Sequence, residues 1–348
     1  MKLLFLVNWK EEGKWDTYIA ISRKVGRIDI LQPYWFGASP NSWLNRLSRI
    51  LAEFYLPFLA IVRGKGFDVV VAWSMRMGTI CGILNRFLRK ASSPKHIIYD
   101  FHINMIRSDP GYRLRLMLLR MAIPGIDFFL CTSERERVLY SDLFDIPLDR
   151  MGFYPITAPR KYLQDYSFPR RNYLLAYGNS DRDYETLVEA LKHLDFETVI
   201  LSQTYKPREQ LPPHVTLITE SRVGLDLVEL IVSSRLVVLP LKDYRIAAGQ
   251  TAMLETMALG RPLIITANLA TLEYARHLET ALFHRAGDSK DLEKLIRLLM
   301  GDLELAERIG SNARTAFRLS IDWCSDTFIR ILTCLQDRQP RRNPMIRQ

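Results

Sequence analysis

The sequence predicts an α/β protein of two parallel-sheet domains in tandem, residues 1–165 and 166–348. Three observations carry that expectation. Short apolar, β-branched runs alternate with longer stretches of helical periodicity, the pattern of strands buried on both faces and joined by crossover helices. A polar stretch holding Pro155, Pro159 and Pro169 and ending at Asn172 interrupts the alternation once, as a linker would, and the pattern then restarts. Finally, 348 residues exceed one ordinary domain, and 48% hydrophobic with 25% charged residues is material for two cores.

In the first half the strand-like runs are Leu3–Val7, Ile28–Leu31, Val69–Trp73, Ile97–Phe101 and Phe128–Cys131. The second half repeats the scheme with Tyr173–Tyr177, Thr198–Ser202, Val215–Ile218, Leu236–Leu239 and Leu263–Thr266, separated by helical segments such as Tyr184–Leu194 and Gly224–Val232. Two Rossmann-like domains facing a central cleft follow, with chemistry expected in the loops beyond the carboxyl ends of the strands. Leu292–Met300, Leu303–Phe317 and Trp323–Leu335 read as terminal helices packing back toward the N-terminal domain, before a basic tail with Arg341, Arg342 and Arg347.

Several classes are excluded by composition. Cys81, Cys131, Cys324 and Cys334 are scattered and form no C-x-x-C pair, against a disulfide scaffold or a zinc site and in favour of a reducing cytoplasm. The apolar start Met1–Val7 gives way at once to polar Asn8–Lys14, too early for a signal peptide, and no run approaches the roughly 18 apolar residues of a membrane span. Charge is uneven: residues 1–165 hold 24 Lys+Arg against 15 Asp+Glu, residues 166–348 hold 24 against 23. An anionic partner for the N-terminal half is implied, a membrane surface or lipid phosphate rather than nucleic acid, for which no basic–aromatic motif is present.

The segment richest in chemistry runs from Ser234 to Thr266. A buried strand ends at Pro240, a polar loop with Asp243 follows, and Ala248-Gly249-Gln250-Thr251 opens a helix closing at Gly260. A helix start after glycine offers unpaired N–H groups and partial positive charge, suited to a diphosphate. Glu255 sits about one turn further in; by spacing alone it reads first as a solvated or capping acid. Earlier, Gly178-Asn179-Ser-Asp-Arg182 follows a strand, and Arg182 is either a phosphate ligand or a surface charge beside Asp181 and Asp183.

Glu255-Thr-Met-Ala-Leu-Gly-Arg-Pro262 resembles the donor-binding motif of family 4 retaining glycosyltransferases, enzymes of the two-domain GT-B fold. The stretch Tyr173 to Ala190 is similar to their Gly-Arg loop and helix start, and Gly287-Asp288 to their closing segment. The resemblance implies that Glu255 binds the ribose hydroxyls of a nucleoside diphosphate sugar, that Arg182, in the place of a lysine, grips the diphosphate, and that Gly178, Asn179, Gly249, Gln250 and Thr251 complete the site. It further implies hexosyl transfer with retention, with neither metal nor cofactor beyond the donor; no D-x-D pair is present. Two positions depart from the pattern. Ala247 stands where the motif has its first glutamate, and Asn179 where an arginine is usual.

On the acceptor side, His102 follows Asp100-Phe101 and resembles a histidine that in the family contacts the transferred sugar; a structural role is the alternative, with Asp100 a lesser candidate base. Ser133, before Glu134, reads as a helix N-cap. The family's Gly-Gly turn is missing, since Val7–Gly13 has one glycine. Trp43–Arg63 places Leu44, Leu47, Ile50, Leu51 and Phe54 at helical spacing beside Arg46 and Arg49, and Ile83–Lys90 and Tyr112–Met121 mix similarly. Such stripes face a core or lie on anionic lipid.

The leading expectation is therefore sugar transfer to a saccharide or lipid-linked saccharide in polysaccharide or glycolipid biosynthesis, by a cytoplasmic protein peripheral on the membrane. Ala247 and Asn179 leave open a non-catalytic nucleotide-sugar-binding subunit. A nucleotide-sugar 2-epimerase would need cleft acids and histidines that the sequence lacks.

Overall fold

The computed structural model describes residues 1–9, 21–35, 43–90, 93–103, 111–242 and 247–337. Gly13, Asp243 and the tail arginines Arg341, Arg342 and Arg347 lie outside them. The chain divides into two compact units, Met1–Pro155 with Trp323–Gln348, and Ile156–Asp322. The boundary thus falls after Pro155 rather than after residue 165. The reason is apolar: Ala158 and Tyr162, inside the expected linker, are buried in the second unit's core, with Ile156, Leu163 and Phe168 packed against it.

The first unit holds a six-stranded parallel sheet in the order β2-β1-β3-β4-β5-β6. Its strands are β1 (Lys2–Leu6), β2 (Arg27–Leu31), β3 (Val69–Ala72), β4 (Lys95–Ile98), β5 (Phe128–Cys131) and β6 (Met151–Phe153). The helices are α1 (Trp43–Arg63), α2 (Met75–Leu88), α3 (Tyr112–Ala122) and α4 (Glu134–Phe144). Leu4, Leu6, Val70 and Ala72 pack with Ala52, Leu56 and Ala60 of α1 and Met77 of α2. Ile98, Phe129 and Cys131 pack instead with Leu119 of α3 and Tyr140 of α4. Of the three terminal helices only Trp323–Asp337 belongs to this unit, so the second domain ends at Asp322 rather than at residue 348: Phe328 is fully buried and its ring meets those of Phe5, Tyr99 and Tyr154.

The second unit holds another parallel sheet, in the order β12-β11-β10-β7-β8-β9. Its strands are β7 (Leu174–Tyr177), β8 (Thr198–Leu201), β9 (Val215–Ile218), β10 (Leu236–Leu239), β11 (Leu263–Thr266) and β12 (Leu282–His284). Successive strand residues point to opposite faces, and both faces are apolar. Leu175, Tyr177, Val237, Leu239 and Ile265 pack on α6 (Leu225–Ser233) and α7 (Gln250–Ala258). Leu174, Ala176, Val238 and Ile264 pack on α5 (Tyr184–Leu191) and, past the four-residue α8 (Thr271–Tyr274), on α9 (Ser289–Gly301). Each fully buried Leu or Ile contributes about 1.5–3 kcal/mol, which is why these strands are short uninterrupted apolar runs. α10 (Leu303–Ser320) serves both faces, through Ile309 on one and Phe317 on the other.

Candidate functional site

In the second sheet the strand order reverses between neighbours β7 and β10, since β8 and β9 lie on one side and β11 and β12 on the other. The loops that leave such a pair of strands diverge and open a crevice at their carboxyl ends. Gly178, at φ +118°, turns the chain off β7, and Gly249, at φ +85°, turns it into α7. Both angles favour glycine, and both turns are also tight. A Cβ on Gly178 would stand 2.5 Å from the Arg182 guanidinium, and one on Gly249 would stand 2.9 Å from the Leu241 side chain.

The two loops are tied together below the crevice. Asp183 N donates to Pro240 O at 2.9 Å and Lys242 N to Asp181 O at 3.1 Å. Beneath them Leu241 N donates to Thr266 Oγ1 at 2.7 Å, and Thr266 meets His284 Nε2 at 2.9 Å. Burial holds His284 below its ordinary pKa of 6.5, so at neutral pH this buried network stays uncharged. Asn268 Nδ2 donates to Ala248 O at 3.0 Å, fixing the approach to α7.

The N-cap Gly249 has no side chain to cap α7, and the first-turn N–H groups of a helix point beyond its start. Among its inner residues Ala252, Met253, Leu254, Thr256, Met257 and Ala258 are buried, whereas Glu255 is half-buried. Tyr162 donates to Glu255 Oε1 at 3.2 Å. The Tyr177 hydroxyl donates to Ala252 O at 2.7 Å and stands 3.5 Å from Glu255 Oε2. Burial raises the Glu255 pKa above its ordinary 4.5, opposed by these two hydroxyls and by the charges of Lys161 and Arg182. The carboxylate is therefore directed by two phenols, with acceptor capacity left for a ligand.

Arg182 crosses back over Gly178. Its Nε donates to Tyr177 O at 2.9 Å and its Nη1 to Ser180 O at 2.8 Å, while among the described residues Nη2 has no partner. Burial lowers its pKa, with Tyr184, Tyr177, Asp181 and Glu255 pulling the other way. Arg182 lines a hollow of about 660 Å³ together with Lys206, Arg208 and Lys242 and the acids Asp181, Asp183 and Glu185. Asn179 serves the loop instead: its Oδ1 accepts from Ser202 Oγ at 3.1 Å and Gln203 N at 2.8 Å. Gln250 is buried and Thr251 exposed, while Ala247 is buried and apolar.

His102 belongs to the first unit. β4 ends at Ile98, so His102 lies past the strand, although Tyr99 N and Phe101 N still donate to Ala72 O and Leu130 O on either side. Its Nδ1 lies 3.0 Å from Glu136 Oε1, and that oxygen also accepts from the Tyr140 hydroxyl at 2.8 Å. Glu136 is only 1% exposed and sits on the first turn of α4, which Ser133 caps by accepting from Glu136 N at 3.2 Å. Burial raises the pKa of nearby Asp100.

Gly178, Arg182, Gly249 and Glu255 are thus gathered at one end of one sheet. Sequence reasoning missed Tyr162, placed in the linker; Tyr177, read as a strand end; and Glu136, one residue in a charged helix start. A buried acid is invisible in composition, but Ser133-x-x-Glu136 has the spacing of a capping box, which marks the helix start.

Residues 202–316 match the family model described as Glycosyl transferases group 1. Three solved structures share the fold over nearly their whole lengths. Sucrose-phosphate synthase from Thermosynechococcus elongatus is 15% identical, with 97% of this chain and 99% of that one covered and a TM-score of 0.70. HepE of Anabaena in complex with UDP-glucose is 14% identical, at 97% and 100% coverage and a TM-score of 0.65. A glycosyltransferase from Rickettsia africae is 14% identical, at 97% and 99% and a TM-score of 0.66. No curated protein sequence matches.

Proposed function

We propose that this chain is a glycosyltransferase that transfers a hexose from a nucleoside diphosphate sugar to a saccharide or lipid-linked saccharide, a reading supported by the match of residues 202–316 to the group 1 model and by the fold shared with the solved structures above. The observation that carries the donor assignment is Glu255, beside Tyr162 and Tyr177 one turn inside a glycine-started helix where the strand order reverses. Its carboxylate accepts from the two ribose hydroxyls. The N–H groups after Gly249 and the guanidinium of Arg182 hold the diphosphate, and Lys206 and Lys242 line the hollow that Arg182 borders. Uracil is the favoured base, because HepE was solved with UDP-glucose.

In the proposed reaction the bond from C1 of the sugar to the diphosphate oxygen breaks, and the acceptor oxygen bonds to C1 on the same face. The acceptor proton passes to the departing diphosphate. Charge grows on the diphosphate as the bond stretches, so preorganised donors at the helix start and Arg182 lower the barrier. The neutral resting network around Thr266 and His284 keeps those loops in place. Such transfer uses no metal and no cofactor. His102, oriented by Glu136, serves the acceptor side, and the basic N-terminal unit meets anionic membrane.

Thermal-shift measurements with UDP, GDP, ADP and their sugars test the donor assignment. One nucleotide is expected to stabilise the protein specifically, and Glu255→Ala to abolish the effect; no stabilisation by any of them overturns it. Ala247 favours a second reading, a non-catalytic donor-binding subunit, because an alanine cannot hydrogen-bond a sugar hydroxyl. Hydrolysis or transfer from any donor by the purified protein excludes that reading.

A further inference from the structure

Helix α1 is amphipathic with its bulky face outward. Its buried residues are Asn45, Ser48, Ala52, Leu56, Pro57 and Ala60, so the side toward the sheet mixes small and polar residues with Leu56 and Pro57. Leu47, Ile50, Leu51, Phe54, Phe58 and Val62 are 44% to 70% exposed. Five of these six recur every three or four residues, which makes one stripe along a 21-residue helix. The alternative that this stripe faces the core is thereby excluded. Neighbouring helices extend the surface: α1 packs on α2 and α2 on α3, and Phe87 of α2 and Leu114 and Met117 of α3 are exposed as well. Soluble monomers rarely leave so continuous an apolar surface uncovered.

Charge selects the occupant. The first unit carries 27 Lys+Arg against 16 Asp+Glu, the second 21 against 22. Exposed Arg46, Arg49 and Arg63 lie on α1 itself, and exposed Arg113, Arg115 and Arg120 on α3. The acid of α1, Glu53, is turned inward and paired with Arg76. A second copy of this chain would set one basic surface against another. An anionic bilayer instead offers phosphates to the arginines and acyl chains to the stripe, and a helix of this pattern lies in the interface plane. We propose that α1 is an in-plane docking helix that seats the first unit on an anionic phospholipid surface. This deepens the lipid-linked acceptor reading and rests on it for its purpose, not for its test.

The test is co-sedimentation of the full chain with vesicles of phosphatidylcholine alone and of phosphatidylcholine mixed with phosphatidylglycerol. Binding is expected to the mixed vesicles, weakly or not at all to the neutral ones, and to decline with added salt as surface charge is screened. The triple variant Leu51→Ser/Phe54→Ser/Phe58→Ser is expected to bind at least about tenfold more weakly, with melting temperature and nucleotide thermal shift unchanged. Absence of binding to the mixed vesicles, or a triple variant that binds like the parent, overturns the proposal. So does a dimer in solution that the same substitutions dissociate, because the stripe then belongs to a second copy. The nucleotide shift measured on the same samples separates the two readings: vesicle binding without it leaves docking intact and removes the donor site.

Discussion

Replacing Glu255 by Gln separates two effects of opposite sign. The side chain keeps its shape and one acceptor oxygen, but loses the charge and the second acceptor. Hydrogen bonds to a charged group contribute about 1.5–3 kcal/mol, so donor affinity is expected to fall roughly 10- to 150-fold at 1.4 kcal/mol per decade. At a nucleotide concentration of about 100 Kd the parent gains about 2.7 kcal/mol of stability, whereas a variant 100-fold weaker gains about 0.4 kcal/mol. The unliganded protein responds the other way. Burial raises the Glu255 pKa above 4.5, so the native chain binds more protons than the unfolded chain between 4.5 and that higher value. Stability from this group therefore falls as pH rises through the window and stays low above it. The Gln variant carries no such cost, and without ligand it is expected to melt at or above the parent at pH 7, with the advantage gone at pH values below the window. Calorimetric melting with and without nucleotide, at both pH values, reads both effects. A Glu255→Gln protein that retains the full nucleotide shift, or one less stable than the parent without ligand at pH 7, refutes the reasoning.

Gly178→Ala forces an L-residue to φ +118° and pushes its Cβ into the Arg182 guanidinium; a loss of about 1–3 kcal/mol, seen as a lower melting temperature, should accompany weaker donor binding. Arg182→Ala should raise the Kd for nucleoside diphosphates by about ten- to a hundredfold while affecting the bare nucleoside little, and isothermal titration with both ligands distinguishes this from general damage to the loop. Glu136→Gln keeps the volume but weakens the hold on His102; turnover should drop about tenfold or more with the donor KM unchanged. A rise in donor KM with turnover unchanged would remove His102 and Glu136 from the acceptor side.

Buried parallel strands were legible because both faces must be apolar, so Phe128–Cys131, Leu236–Leu239 and Leu263–Thr266 stand where the sequence pattern places them. β6 and β12 escaped for the matching reason: each is three residues at a sheet edge, where little apolar sequence is needed. The glycine turns and Glu255 were legible through local chemistry, since a helix start after glycine and an acid one turn later are contiguous in the chain. Their surroundings were not. Tyr162 reaches Glu255 across 93 positions and Glu136 reaches His102 across 34, and no local pattern encodes a hydrogen bond between residues so far apart. Helix α1 divides the same way. By itself the sequence determined that a stripe of large apolar residues would run along one side of the helix, because periodicity is a property of the chain. Only the tertiary structure decided that Ala52, Leu56 and Ala60 would meet the sheet and Phe54 and Phe58 would face outward, because those three side chains and the strand residues they meet already fill the space beneath α1.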